Sequence, residues 1–158
     1  MEKIVPFLWF ADNNAMEAIT YYCGVFPGSA VHHVEYYPDE KLDEHFTGMA
    51  GKVLTADFTL NGRRFMALDG GPHFRFNEAI SLLVECENQE EIDFYWDRLS
   101  HSKEHEQCGW CRDRFGLSWQ IVPRDLGRLL RSEAAVRAMM AMKKIVISEL
   151  IEAGRTAD

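Results

Sequence analysis

The sequence lacks the features that would place it in several large classes of protein. No stretch approaches the roughly 20 consecutive apolar residues that a membrane-spanning helix requires. The opening residues show no apolar core followed by a small-residue cleavage site, so the chain is expected to be cytoplasmic. Four cysteines, Cys23, Cys86, Cys108 and Cys111, are too few for a disulfide scaffold and read as thiols in a reducing compartment. No run of lysine or arginine stands out, and the formal charge is -8. Such a field repels a phosphate backbone, which argues against nucleic acid as a partner.

What is present is apolar and aromatic material, 47% and 12% of the 158 residues. That is enough for one sizeable core and one domain.

The chain also repeats itself. IVPFLWF (residues 4–10) is a short β-prone run, followed by polar residues and then by AMEAITYYCGVF with helical apolar spacing. AISLLVEC (residues 79–86) is likewise followed by Asn88 and the helical EEIDFYWDRL. Ile19, Tyr22 and Phe26 make one stripe, and Ile92, Tyr95 and Leu99 repeat its spacing 73 positions later. Each helix can start on an Asn-x-x-Glu cap, Asn14 with Glu17 and Asn88 with Glu91.

The second half of each unit matches as well. KVLTADFTL and RRFMALD flank Asn61-Gly62, which predicts a hairpin, and WCRDRFGLSWQIVP predicts another around Phe115-Gly116. VHHVEYY is a further strand in the first unit. SHSKEHEQ, in the corresponding place, is polar and marks a strand poorly. An acidic loop, PDEKLDEHFTG (residues 38–48), follows the third run.

From Leu126 to Ala153 the pattern is amphipathic helix. Leu129, Leu130, Val136, Met139, Met140 and Met142 are apolar, then Ile145, Ile147, Leu150 and Ile151 in a second short stretch. The Met-rich stretch suits helix packing or a dimer contact.

The fold class expected is therefore α+β: two βαβββ modules, residues 3–70 and 77–124, form one domain over 1–125. A C-terminal helical extension occupies 126–158. Each module is too small to bury both faces of its own sheet, so the two cupped mixed sheets are expected to pair around a cavity.

KIVPFLWF, GKVLTADFTLNGRRFMALDGGPHFRFNEAISLLVEC, QCGW, FGLSWQIVP and the late MKKI resemble the PhnB-like proteins of the vicinal oxygen chelate superfamily, the glyoxalase and bleomycin-resistance fold. The resemblance runs from about residue 3 to 151. It implies paired βαβββ modules, a homodimer and a cavity in each cupped sheet. Members often carry a demethylubiquinone methyltransferase-like label. A methyltransferase using adenosylmethionine would normally need a Gly-rich turn between a strand and a helix, and this sequence offers none.

The resemblance also permits a test for metal. Metal-dependent members draw ligands from the first and last strands of each module, positions that fall here near Val5 and Ser81 and on Met66 and Gln120. A divalent ion wants carboxylates and imidazoles in about four first-shell places, and this set supplies none. No metal and no other cofactor is expected. His32 and His33, adjacent on a strand, should point to opposite faces and so not share an ion. His45, His101 and His105 fall in polar stretches and read as surface histidines. His33 and Glu35 share a face and could serve as a base or a ligand pair.

FMALDGGPHFRF (residues 65–76) reads first as a linker, with glycines relaxing the backbone and Pro72 stopping the strand. It opens no helix, as a phosphate-binding loop would. His73, Phe74 and Arg75 would stand near a cavity mouth.

Cys108-Gly-Trp-Cys111 has redox spacing but leads into a hairpin, where no helix N-terminus lowers a thiol pKa. In the resemblance Cys108 lines the cavity and Cys111 is incidental. Trp9, His33, Glu35, Met66, His73, Arg75, Cys108, Trp110 and Gln120 are thus the candidate ligand-binding residues. They suggest a metal-independent protein binding a small, partly apolar molecule. The alternatives are a lyase, isomerase or dioxygenase-like enzyme using His33, Glu35, His73 or Gln120, and last a methyltransferase.

Overall fold

In the computed structural model, which describes residues 3–155, the chain divides into two units at the bond between Arg75 and Phe76. The first unit runs β1 (Phe7–Phe10), α1 (Ala15–Val25), β2 (Ala30–Tyr36), β3 (Val53–Leu60) and β4 (Arg63–Asp69). Its sheet has the order β1-β4-β3-β2, with β1 parallel to β4 and the other pairs antiparallel. Asn61 and Gly62 join β3 to β4 with φ of 48° and 75°, the left-handed pair that a two-residue hairpin requires.

Strand alternation gives this sheet two chemically different faces. Leu8, Phe10, Ala56, Phe58, Leu60, Phe65 and Ala67 are buried. Phe58 and Phe65 stack with centroids 5.6 Å apart. Helix α1 buries Ala15, Ala18, Ile19, Tyr22 and Val25. The opposite face, described below, is half-exposed.

The start of α1 departs from expectation. Asn14 makes no side-chain cap hydrogen bond. Instead the buried carboxylate of Asp69, at the end of β4, accepts from Ala15 N at 2.9 Å and from Val53 N at 2.8 Å. A tertiary cap has replaced the local one, and it ties α1, β3 and β4 at one point.

The second unit runs β5 (Ser81–Cys86), α2 (Gln89–Leu99), β6 (Trp110–Arg112) and β7 (Ser118–Pro123). Its sheet has the order β5-β7-β6, with β5 parallel and β6 antiparallel to β7. First and last strands are thus parallel neighbours in both units. The strand corresponding to β2 is missing: residues 100–107 hold a short 3₁₀ turn, Lys103–His105, in its place. The polarity of SHSKEHEQ explains this, since no apolar alternation exists to bury.

Asn88 caps α2 as expected, accepting from Glu91 N at 3.0 Å, while Glu91 reaches back to Glu87 N at 2.8 Å. The buried stripe of α2 is Ile92, Trp96 and Leu99, so Trp96 rather than Tyr95 fills its middle. At the β6–β7 turn, Gly116 has φ of 91°. The buried carboxylate of Asp113 accepts from Phe115 N (2.8 Å), Leu117 N (3.1 Å) and Trp119 Nε1 (2.8 Å).

The segment after β7 is three short helices rather than the two stretches expected: α3 (Leu126–Leu129), α4 (Glu133–Ala141) and α5 (Ile147–Arg155). Ser132 breaks the pattern by capping α4 through Ala135 N at 3.1 Å. Met142, Ile145 and Leu150 are buried and Met140 is exposed. Gln89 of α2 clamps the α4–α5 connection, donating to Ile145 O at 3.0 Å and accepting from Ile147 N at 2.9 Å.

Candidate functional site

The half-exposed face of the first sheet carries Phe7 and Trp9 on β1, Arg64, Met66 and Leu68 on β4, and Thr55, Asp57 and Thr59 on β3. Arg64 donates from Nε to both oxygens of Asp57, at 3.1 and 3.0 Å, and from Nη2 to Oδ2 as well. This is the two-pronged arrangement that a guanidinium makes best with a carboxylate. It holds the Asp57 carboxyl below its usual range, aided by the charges of His32 and His33.

His33 and Glu35 meet as expected, with Nε2 to Oε1 at 3.2 Å, and the Thr55 hydroxyl donates to Glu35 at 3.4 Å. The expectation that His32 turns to the other face is corrected. The register slips between Val31 and His33, so His32 is an extra residue in a β-bulge. The bulge brings it to the same side, where its Nε2 lies 3.2 Å from the Thr59 hydroxyl. Bulges leave no mark in the apolar pattern, which is why alternation failed here.

Trp9 closes one end of this face. Its indole Nε1 donates to Gly71 O at 2.9 Å, and its ring meets Phe74 edge-on at 5.0 Å. A Cβ on Gly70 would lie 2.0 Å from the indole, so only glycine fits under the ring. The Gly-Gly segment is therefore a seat for Trp9 as well as a joint. Arg75 pairs with Asp12 at 3.2 Å, and His73 is exposed.

On the second sheet, Ser118 and Gln120 share the face opposite Trp119 and Ile121. Gln120 Nε2 donates to Ser81 Oγ at 2.8 Å, so these two side chains are engaged with each other. Trp110 stands across from Gln120, and Arg112 across from Ser118. Arg112 pairs with Glu78, which also has His105 Nε2 at 3.7 Å. Arg112, Glu78 and Ser118 belong to no sequence motif that would mark them. The Arg64–Asp57 pair belongs to none either, although counting outward from the Asn61-Gly62 turn brings those two residues near each other.

Cys108 has φ of 40° and Gly109 of 89°, making a tight two-residue turn between Gln107 and Trp110. Cys108 N and Gly109 N both donate at 2.8 Å to the segment after α4, to Met142 O and Lys143 O. Burial pushes the Cys108 thiol up and, with help from Asp113 and Glu106, pushes Cys111 up to about 12. Burial, with Glu91, takes Cys86 there too. A thiol that resists ionisation is a poor nucleophile, which weighs against a redox role for the C-x-x-C pair.

Of the expected site residues, Trp9, His33, Glu35 and Met66 thus share one face of the first sheet. Trp110 and Gln120 share a face of the second. Cys108 sits in a docking turn, and His73 and Arg75 lie on the exposed stretch after β4.

Among the described residues, no group of three or more His, Cys, Asp and Glu side chains is placed to hold a metal ion. No described helix is long and apolar enough to cross a membrane.

Comparison with known proteins returns a family. Residues 2–122 match the model of the 3-demethylubiquinone-9 3-methyltransferase family. A solved structure of a PhnB protein from Bacillus cereus, described as a putative 3-demethylubiquinone-9 3-methyltransferase, is 34% identical. It covers 77% of this chain and 99% of its own, with a TM-score of 0.61. A protein of Pseudomonas aeruginosa, 18% identical, covers 78% of this chain and 98% of its own with a TM-score of 0.56, a likeness of fold alone. No curated protein matches. The family match stops within β7, leaving α3, α4 and α5 outside it. By this match and by its identity to the Bacillus cereus protein, the chain belongs to the PhnB-like, 3-demethylubiquinone-9 3-methyltransferase family.

Proposed function

We propose that this protein binds a small, partly apolar organic molecule on the half-exposed sheet faces, without a metal ion. The observation that carries this reading is the side-chain chemistry at the positions that the resemblance assigns to ligands in metal-dependent members of the superfamily. Val5, Met66, Ser81 and Gln120 supply no carboxylate and no imidazole, and Gln120 is already bonded to Ser81. On the first sheet's open face stand Phe7, Trp9 and Leu68, and on the second's stands Trp110, each a mixture of apolar surface and few polar groups typical of organic ligand sites.

A second reading rests on the His33–Glu35 hydrogen bond, which gives an exposed imidazole a carboxylate to orient it, as an acid–base enzyme of the lyase or isomerase kind would need. The methyltransferase reading ranks below both. The turns that enter α1 and α2, ADNN and EN, hold no glycine to admit the phosphate- or cofactor-binding approach of a backbone.

The resemblance to the vicinal oxygen chelate superfamily supports two further parts of the proposal. Residues 3–70 and 77–124 work as paired modules of one domain with 126–158 appended, and the protein acts as a cytoplasmic homodimer.

The test is thermal-shift screening against aromatic metabolites in metal-free and metal-supplemented buffer, since a ligand that favours the folded state raises Tm. Aromatic hits that keep their effect in chelator support the proposal. Stoichiometric tightly held metal would demote it in favour of the enzyme. A response to adenosylmethionine alone would restore the methyltransferase.

A further inference from the structure

Two arginines stand on the half-exposed faces, and they are served unequally. Arg64 fills its side-on fork, Nε and Nη2, with one carboxylate. Arg112 gives Nη2 to Glu78 Oε1, and its Nε is buried with no hydrogen-bond partner among the described residues. Directly across the strand pair, the Ser118 hydroxyl is also buried, at 1% exposure, and also without a partner. Buried polar groups are nearly always satisfied, so two adjacent orphans ask for something that is not protein.

The geometry points to a carboxylate-binding site. We propose that the Nε–Nη2 edge of Arg112 and the Ser118 hydroxyl together take the carboxylate of a small organic acid, and that Glu78 is a placeholder which the acid displaces. Both edge nitrogens are donors, and their spacing matches the two oxygens of a carboxylate, as Arg64 and Asp57 demonstrate in the same molecule. Ser118 supplies a third donor from the facing strand, and Trp110 offers a flat apolar neighbour for the rest of the acid.

Glu78 is suited to leave. It belongs to the exposed stretch ahead of β5, its side chain is 53% accessible, and it uses a single oxygen on Arg112. A half-exposed pair of this kind contributes little, so its loss costs little. His105, 3.7 Å away, stays close to the displaced carboxylate.

This inference rests on the binding function proposed above and names its ligand class. The test uses the full chain labelled with ¹⁵N, with the Arg112 Nε–H resonance assigned by its disappearance in Arg112→Lys. The probes are sodium benzoate, benzyl alcohol as its uncharged counterpart, and inorganic phosphate.

Benzoate is expected to move the Arg112 Nε–H signal. Glu78→Gln, which removes the competing charge on a solvent-facing side chain, should tighten benzoate by roughly threefold or more. Ser118→Ala should weaken it by a similar factor, and Arg112→Lys should abolish the preference for benzoate over benzyl alcohol. An unmoved Nε–H signal in Glu78→Gln, or equal affinity in Glu78→Gln and the parent, would overturn the assignment. Phosphate acting as strongly as benzoate would overturn the carboxylate part of it.

The two readings fail differently. Benzyl alcohol and benzoate shifting the Trp110 indole alike, with no effect of the variants, would sink the carboxylate site and leave the open-face binding function standing. Silence of Trp9, Trp110 and Gln120 to every probe would count against both.

Discussion

The first unit gives Arg64 a carboxylate on both prongs, whereas the second gives Arg112 a carboxylate on one prong and buries the other. The contrast extends through the two sheets. In the first, β2 is present and its polar groups are spent on neighbours: His32 on Thr59, His33 on Glu35, Glu35 on Thr55. In the second, the corresponding strand is replaced by a 3₁₀ turn, and β6 and β7 hold two buried polar groups, Arg112 Nε and Ser118 Oγ, with no hydrogen-bond partner among the described residues. The parallel pairing of first and last strands is kept in both halves, whereas complete pairing of the buried polar side chains is kept in one. The half with unmet bonds is the half to search for a ligand.

Each unit is also tied by one buried aspartate, and here the comparison predicts its largest effect. Asp69 accepts from residues 54 and 16 positions away and joins a helix start to two strands. Asp113 serves groups two, four and six positions away, within its own turn. Replacing either with Ala strands buried donors, at about 1–3 kcal/mol each. Asp69→Ala is expected to cost about 3–5 kcal/mol in urea unfolding. Asp113→Ala should cost less, because a turn relaxes locally where a three-element joint does not. Equal losses would mean that both ties are merely local.

Glycine makes a second difference. Gly70 lies under the Trp9 ring, with no room for a Cβ, whereas a Cβ on Gly109 in the second unit would lie 3.0 Å from Ile121 O and would sit in a left-handed turn. Gly70→Ala has ordinary backbone angles to adopt and fails only by collision. Its expected cost is therefore about 1–3 kcal/mol, the usual range for overpacking. The readout that identifies the cause is a displaced Trp9 indole N–H signal, reporting loss of its bond to Gly71 O. A destabilised variant with Trp9 unmoved would show that the ring is not seated on this glycine.

Much of this scaffold is legible in the sequence, because periodicity and turn chemistry are local. The Asn61-Gly62 hairpin, the Asn88 cap and the repeat of strand, helix and hairpin all follow from residues within a few positions of one another. What escapes is non-local or irregular. The Asn14 cap loses to a carboxylate 54 residues away, a bulge turns His32, and Ser132 interrupts what reads as a continuous apolar helix. In α2, Tyr95 and Trp96 are both aromatic, and only the rotation of the helix against its sheet decides which is buried. The resemblance and the strand pattern give Trp9, Met66, Trp110 and Gln120 as candidate positions only. Arg112, Glu78 and Ser118 belong to no motif, and their importance is visible only in which bonds go unmade.

The smallest expected effect is read from the two arginine pairs through pH and ligand binding together. Arg64's hydrogen bonds lower the Asp57 pKa, so that pair stabilises the fold fully above the ordinary carboxylate value, about 3.9. The contribution disappears as pH falls through the lowered native value, because only then does folded Asp57 take up a proton. With side chains 24% and 42% accessible, the pair contributes at most about 1 kcal/mol. Asp57→Asn should therefore lower stability at pH 7 by that small amount and flatten the acid limb of the stability curve. Glu78 is also held below its usual range, first by its own backbone N–H and then by Arg112 and His105, so Glu78→Gln should soften the acid limb as well; what sets it apart from Asp57→Asn is that it alters benzoate binding. If instead Asp57→Asn altered benzoate binding as much as Glu78→Gln, the effect would be one of general charge, and the second sheet would have no placeholder for a ligand to displace.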